Sequence, residues 1–245
     1  MMGEMWINIG VLFAVAIFGG LMAFRFKLED KSNFNLALTF SGAYLFGITL
    51  VHIIPELFTH SHSPFKAGIF LLVGFFIQEL LEYLTSGVEH GHLHLPKGEH
   101  HHSTGMAISL LVGLMVHSVL EGTLLGQTHH ESHSTMPLLL GITFHKIPAA
   151  FAMMTVLLCQ YKNFKWPIVF LIVFALASPL GVFLRGSVEI GEGAADILYA
   201  LVGGSFLHIS TTIVFESGPQ HKFKIKRLFY SVLGAFIAIL VQAIF

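Results

Sequence analysis

Charged residues are scarce in this sequence. Asp, Glu, Lys and Arg make up only 11% of the 245 residues, about half of their share in an ordinary soluble domain. Cys159 is the only cysteine, so no intramolecular disulfide can form and the cysteine count says nothing about the redox compartment. The net charge of -1 and the lack of a basic patch, apart from a short run near the C-terminus, argue against a nucleic-acid partner. No G-x-x-x-x-G-K-[ST] loop is present, so nothing indicates ATP use.

Apolar residues are abundant instead. They make up 54% of the chain, and the mean hydropathy is +0.76. Runs long enough to cross a hydrocarbon layer of roughly 30 Å as helices recur along the whole length. The sequence therefore predicts one all-α integral membrane domain over residues 1–245, multi-pass, with the lipid bilayer as its surroundings. The first apolar run follows MMGEMW, which has no basic residue, so we interpret it as a retained helix and not as a signal peptide.

The apolar segments predict about eight membrane-spanning helices. An even number places both termini on one side of the membrane. Ten of the 13 Lys and Arg residues sit in or beside the odd-numbered loops, two border even-numbered loops and one lies inside a segment. Positive residues mark the cytoplasmic side, so we expect both termini to be extracytoplasmic. The predicted segments cover residues 6–24, 34–58, 66–86, 105–127, 136–159, 165–185, 194–216 and 228–245.

Two predicted loops are rich in histidine. One is EHGHLHLPKGEHHH, within the cytoplasmic loop at about 87–104, and the other is HHESH, on the outer side. Neutral imidazole is a good ligand for late first-row divalent metals, so such a loop could bind metal. The alternative without a metal is a solvated polar linker. The presence of such loops on both sides favours metal handling. The candidate loop ligands are His90, His92, His94, His100, His101 and His102.

Ionisable residues inside the apolar segments are the strongest functional signal. Each costs about 2.5–3.5 kcal/mol at the bilayer centre, so a cluster needs partners, a water-filled cavity or a cation. Residues near segment ends could instead snorkel to the interface, and His208 alone is interpreted as a hydrogen-bonded packing residue. The set is His52, Glu56, Glu79, Glu82, His117, Glu121, His145, Lys146, His208 and Glu216, of which Glu79, Glu82 and Glu216 lie near segment ends.

Two pairs of these residues share a spacing of four. His117 and Glu121 in HSVLEG lie on one face of the fourth segment, a turn apart, and this combination of imidazole and carboxylate suits a zinc-type cation. His52 and Glu56 repeat the spacing in the second segment, with Pro55 between them. A proline there frees a backbone carbonyl that can bind an ion. A single pair is a weak signal, but two pairs together with His145 predict a site.

Four strings resemble the ZIP (Zrt/Irt-like) metal transporters: VHIIPEL, MVHSVLEGTLLG, FHKIPAAFAMM and FALASPLG. The resemblance covers essentially the whole chain and implies a 3+2+3 arrangement of eight helices. The outer triplets would be an inverted repeat, and the metal would lie between the fourth and fifth helices. When the metal ligands of that family are carried over residue by residue, the resemblance implies that His117, Glu121 and His145 are metal ligands.

The chain departs from the two-metal version of that family. Ser118, Lys146, Ala149 and Ser178 stand where the resemblance implies side chains that hold the second metal. We therefore expect one metal, with the ammonium of Lys146 in place of the second cation beside Glu121. The alternative is that Lys146 points into a water-filled entrance and repels cations.

The predicted function is movement of divalent transition metal ions toward the cytoplasm, zinc first, with iron, manganese, cobalt and cadmium also compatible. The inward direction and a homodimer are implied by the resemblance alone. His52 and Glu56 would line the outer path, with Glu82, His208, Glu216 and the His-rich loop on the inner path. The chain is predicted not to be an enzyme. An intramembrane zinc hydrolase is the alternative, though no HExxH is present, and the carboxylates argue against a haem cytochrome.

Overall fold

A computed structural model describes residues 2–25, 31–85, 104–126, 135–188, 190–216 and 225–245. Eight spans in these ranges are long and apolar enough to cross a membrane, which confirms the predicted all-α multi-pass fold. The helices are α1 Met2–Arg25, α2 Lys31–Ile48, α3 Ile54–His60, α4 Pro64–Thr85, α5 Thr104–Leu125, α6 Met136–Gln160, α7 Lys165–Ser187, α8 Glu192–Glu216 and α9 Ile225–Ile244.

The second span is not one regular helix, which the apolar pattern did not predict. A π-helical turn at Thr49–Ile53 joins α2 to α3, and the N–H of Ile54 reaches back five residues to the carbonyl of Thr49. Pro55 follows at the start of α3. It has no N–H to donate to the preceding turn, so the regular hydrogen-bond ladder cannot continue through this point.

The spans form two groups of four. In one group, α1 packs against α6 and α7, and α5 packs against α7; in the other, α2 packs against α8 and α9, and α4 packs against α8. The contacts map onto one another when the first span (α1) is exchanged with the sixth (α7) and the second (α2) with the seventh (α8). The third span (α4) is then exchanged with the eighth (α9), and the fourth (α5) with the fifth (α6). This pairing is the one that an inverted repeat requires.

The distribution of polarity is that of a protein surrounded by lipid. Large apolar side chains such as Phe18, Phe76 and Phe183 are exposed on the outside of the helices. Polar and charged side chains are buried between them, among them Gln78, Glu121 and Lys146. Because hydrocarbon cannot solvate polar groups, those groups must find partners inside the bundle.

Candidate functional site

The predicted site residues of the fourth and fifth spans meet in the interior of the bundle. His117 and Glu121 project from α5, and His145 and Lys146 project from α6. Glu121 and Lys146 are each only 1% exposed. Such burial is costly for charges unless they are paired, so their partners decide what the site can do.

The ammonium of Lys146 has an acceptor for each of its three protons. Lys146 Nζ donates to the carboxylate of Glu121 through Oε1, to Ser178 Oγ at 2.6 Å and to Ser118 Oγ at 3.0 Å. It also lies 4.7 Å from the centre of the Phe174 ring, a cation–π contact. Lys146 is therefore a fully coordinated buried cation and does not point into water, contrary to the alternative raised from the sequence.

Ser178 reaches this cluster because α5 and α7 touch backbone to backbone. A Cβ atom on Gly122 would collide with the carbonyl of Ser178, and one on Gly181 would collide with the carbonyl of Val119. The close approach lets Ser178 Oγ lie 2.9 Å from the carbonyl of Ser118 and 2.7 Å from Glu121 Oε1. Small residues at such crossings are what allow membrane helices to approach closely.

The two carboxylate oxygens of Glu121 have different neighbours. Oε1 accepts from Lys146 and Ser178, whereas Oε2 lies 3.3 Å from Nε2 of His117. The ring of His145 is perpendicular to that of His117, with the centroids 5.8 Å apart. Glu121 Oε2 therefore faces the imidazole of His117, and the ring of His145 lies next to that imidazole.

These three side chains do not yet converge on one point. Within the described ranges, no three His, Cys, Asp or Glu side chains stand close enough to hold a metal ion as they are. A bound cation would therefore need these side chains to rearrange. Ala149, the remaining second-site position, is buried and offers only a methyl group.

The second predicted pair lies toward the end of the second span. His52 Nε2 is 3.3 Å from Glu56 Oε2, and the hydroxyl of Tyr199 donates to the same oxygen at 3.0 Å. Glu56 and Tyr199 line a cavity of about 420 Å³, which also contacts the buried Arg185 and the acidic Glu192 and Asp196. Under the predicted topology this cavity opens on the outer side.

Glu82 and His208 form a pair across α4 and α8. The distance from Glu82 Oε2 to His208 Nε2 is 2.7 Å, so Glu82 has a partner and its position needs no snorkelling. The ring of Phe75 packs edge-on against His208 at 4.7 Å. The side chain of Glu216 and the predicted loop ligands between residues 86 and 103 lie outside the described residues.

Three residues at the site were not predicted from the sequence. Phe174 lies against the ammonium of Lys146. Ser205 of α8 contacts the ring of His117 from the other helix group, and Gln78 of α4 accepts a hydrogen bond from Ser205. Gln78 is four residues before Glu82, and Ser205 is three before His208. The helical period therefore places each on the face of a residue that was singled out, which is the signal that could have found both.

A family model described as ZIP zinc transporter matches residues 87–242. Among curated relatives, zinc transporter ZIP9 of Xenopus tropicalis is 28% identical over 180 residues, covering 66% of this chain and 58% of that protein. Zinc transporter ZIP9 of Micropogonias undulatus is 30% identical over 168 residues, covering 63% of this chain and 53% of that protein. The matches thus span little more than half the length of these relatives. An uncharacterized protein of Methanocaldococcus jannaschii is 25% identical over 95% of this chain and 97% of its own length.

Proposed function

The chain belongs to the ZIP zinc transporter family, and from this premise we propose that it carries divalent transition metal ions, zinc first, across the membrane toward the cytoplasm. The proposed transport site consists of His117, Glu121 and His145. Iron, manganese, cobalt and cadmium remain compatible substrates, because the same nitrogen and oxygen donors accept them.

The observation that carries the proposal is that the two carboxylate oxygens of Glu121 have different contacts. Its Oε1 atom accepts hydrogen bonds from Lys146 and Ser178, while Oε2 faces the imidazole of His117 at 3.3 Å. A carboxylate that is paired with Lys146 through one oxygen and faces an imidazole with the other keeps one oxygen for a metal. The ring of His145, 5.8 Å from that of His117, supplies the third donor.

Three protein ligands suit a transported ion better than four. With water in the remaining position, zinc would be roughly tetrahedral at about 2.0–2.2 Å from each ligand, as at other open zinc sites. The rearrangement of the three side chains that this requires would form the site upon binding and undo it upon release. The same incompleteness in the described structure is therefore compatible with transport.

We further propose that the site holds one metal. Lys146 Nζ occupies the space between Glu121, Ser118 and Ser178, where the family resemblance implies a second cation. The ammonium provides the positive charge that the carboxylate would otherwise take from that metal. Ala149 and the two serines lack the carboxylate that a second divalent ion would need.

The proposed path runs from the cavity beside Glu56, through the site, to the pair formed by Glu82 and His208. The sequence contains no P-loop that could bind ATP. The energy would therefore come from the metal gradient or the membrane potential. A divalent cation that moves into a negative interior gains about 4.6 kcal/mol per 100 mV.

The hydrolase alternative finds no support at the site. A hydrolase needs a carboxylate or imidazole free to take a proton from a metal-bound water. Glu121 Oε1 already accepts from the ammonium of Lys146 and from Ser178, which makes it a poor base. Family membership likewise supports a transporter and not an enzyme.

Zinc uptake into proteoliposomes tests the transport proposal. The wild type should show saturable uptake, and the double variant His117→Ala, Glu121→Ala should lose it. Thr155→Ala is a matched control, because Thr155 lies on α6 but bonds only to the carbonyl of Phe151 at 2.8 Å. Normal saturable uptake by the double variant, with liposome insertion equal to that of the control, would refute the assignment.

Metal stoichiometry tests the one-metal proposal. A crystal soaked in cadmium should show one ion between α5 and α6 in the wild type, and a second only in Lys146→Asp, where a carboxylate replaces the ammonium. Two ions within about 4 Å of each other in the wild type, the spacing of a binuclear site, would contradict it.

A further inference from the structure

The ring of His117 is contacted from outside its own helix group. Ser205 Oγ of α8 lies 3.3 Å from His117 Nδ1, and the same hydroxyl donates to Gln78 Oε1 of α4 at 2.8 Å. Gln78 is fully buried and Ser205 is 3% exposed. The contact therefore forms a buried chain from Gln78 through Ser205 to a proposed metal ligand.

The number of protons in this chain fixes its direction. A serine hydroxyl has one proton and two lone pairs. Since Ser205 gives its proton to Gln78 Oε1, it can only accept at the 3.3 Å contact with His117. The imidazole is then the donor in that contact, which favours a proton on Nδ1, whereas a proton on Nε2 would instead serve the contact with Glu121.

A proton on Nδ1 leaves Nε2 as the lone-pair donor. Nε2 lies 3.3 Å from Glu121 Oε2, so in this tautomer its lone pair and the carboxylate face the same space, where a cation could be bound by both. In metal sites, the hydrogen bond made by one ring nitrogen decides which nitrogen is free to bind the metal, and it also fixes the ring orientation.

We propose that Gln78 and Ser205 are positioning residues that hold His117 in the Nδ1–H tautomer and present its Nε2 lone pair to the transported metal. This inference rests on the proposed function, because it assumes that His117 is a ligand. It assigns a role at the transport site to two residues of the other helix group.

The support behind this chain is rigid. A Cβ on Gly74 of α4 would collide with the carbonyl of Leu201 in α8, and one on Gly204 of α8 would collide with the carbonyl of Leu71 in α4. The two backbones are therefore in direct contact within a turn of Gln78 and Ser205. A hydroxyl held on such a frame can fix a ring orientation without reorganising when a metal arrives.

The first test measures metal affinity with purified protein. Ser205→Ala and Gln78→Met should each weaken equilibrium zinc binding, and raise the KM of uptake, by about 10- to 100-fold, the usual effect of losing such a partner. Vmax should change little. Ser205→Thr keeps the hydroxyl and should recover most of the affinity.

Ser210→Ala provides the matched control. Ser210 is a fully buried serine on the same helix, but its hydroxyl bonds the carbonyl of Leu207 at 3.2 Å. The Ser210→Ala variant should keep wild-type zinc affinity, and its melting temperature should be close to that of Ser205→Ala. Equal zinc affinity in Ser205→Ala and Ser210→Ala would overturn the proposal.

The second test reads the tautomer directly and needs no metal. Nitrogen-15 spectra of histidine-labelled, metal-free protein in lipid should show Nδ1–H on His117, identified by the signal lost in His117→Gln. Ser205→Ala should shift this signal toward the Nε2–H form. An Nε2–H signal in the wild type would overturn the proposal even if transport is confirmed. Conversely, normal zinc uptake by the double variant His117→Ala, Glu121→Ala would overturn the proposed function while leaving the tautomer result intact.

Discussion

Replacing Lys146 by methionine should destabilise the protein through Glu121. Methionine keeps most of the lysine's volume and removes the ammonium, which donates to Glu121, Ser118 and Ser178. Because Glu121 is only 1% exposed, its carboxylate would remain buried without a cation. Loss of one partner from a buried pair costs about 3–5 kcal/mol. At 1.4 kcal/mol per tenfold change, the folded-to-unfolded ratio should fall by about a hundredfold to a few thousandfold.

Adding Glu121→Gln to Lys146→Met should restore part of this loss, because the double variant no longer contains a buried unpaired charge. Reversible unfolding in mixed detergent micelles measures the free energy of unfolding of the wild type, both single variants and the double variant. Lys165→Met is the control, since Lys165 is exposed at the start of α7 and should change stability by no more than about 0.5 kcal/mol. The reasoning is refuted if Lys146→Met loses less than about 1 kcal/mol, or if the two substitutions are additive.

Three further predictions concern the path. Glu56→Gln should raise the KM of zinc uptake with Vmax kept, because the outer cavity loses a carboxylate; an unchanged KM would contradict this. Glu82→Gln should lower the rate at saturating zinc more than it raises KM, because His208 loses the partner at 2.7 Å on the release side; a pure KM effect would count against it. Deletion of Glu89 to His102 should alter apparent affinity or regulation more than maximal flux, and complete loss of transport in a correctly inserted deletion would disprove that expectation.

The spans could be predicted because hydrocarbon imposes a length and a composition on every crossing helix. The pairs His52–Glu56 and His117–Glu121 could be predicted for a related reason: residues four apart on one helix are neighbours whatever the rest of the fold does. Both are local consequences of the helical period, and the distance between the imidazole nitrogen and the carboxylate oxygen is 3.3 Å in each pair.

Contacts between helices could not be predicted in the same way. The period places Gln78 and Ser205 on the faces of Glu82 and His208, but it does not say which helix those faces meet. That choice depends on glycines such as Gly122 and Gly204, which permit backbone contact at one crossing and not at another. Ser178 on α7 was expected near Lys146 only through the family resemblance, whereas the contacts of Phe174 with Lys146 and of Ser205 with His117 follow from these crossings. The π-helical turn before Pro55 was missed for a different reason, because its residues, TLVHI, are equally compatible with a regular helix.

The charge balance at the site bears on how the membrane potential would act on the proposed transport. The ammonium of Lys146 and the carboxylate of Glu121 offset one another inside the bundle, and His117 and His145, which must be neutral to bind a metal, would add no charge. A site without metal is then nearly neutral, whereas a site with zinc carries about two positive charges. Only the loaded form would respond strongly to the potential, at about 2.3 kcal/mol per charge per 100 mV. Had Lys146 been an acidic residue, the site without metal would carry negative charge, and the same field that draws the cation inward would drive the empty site outward. The buried lysine, expensive as a single residue, therefore allows a carrier whose return step without metal is nearly independent of voltage.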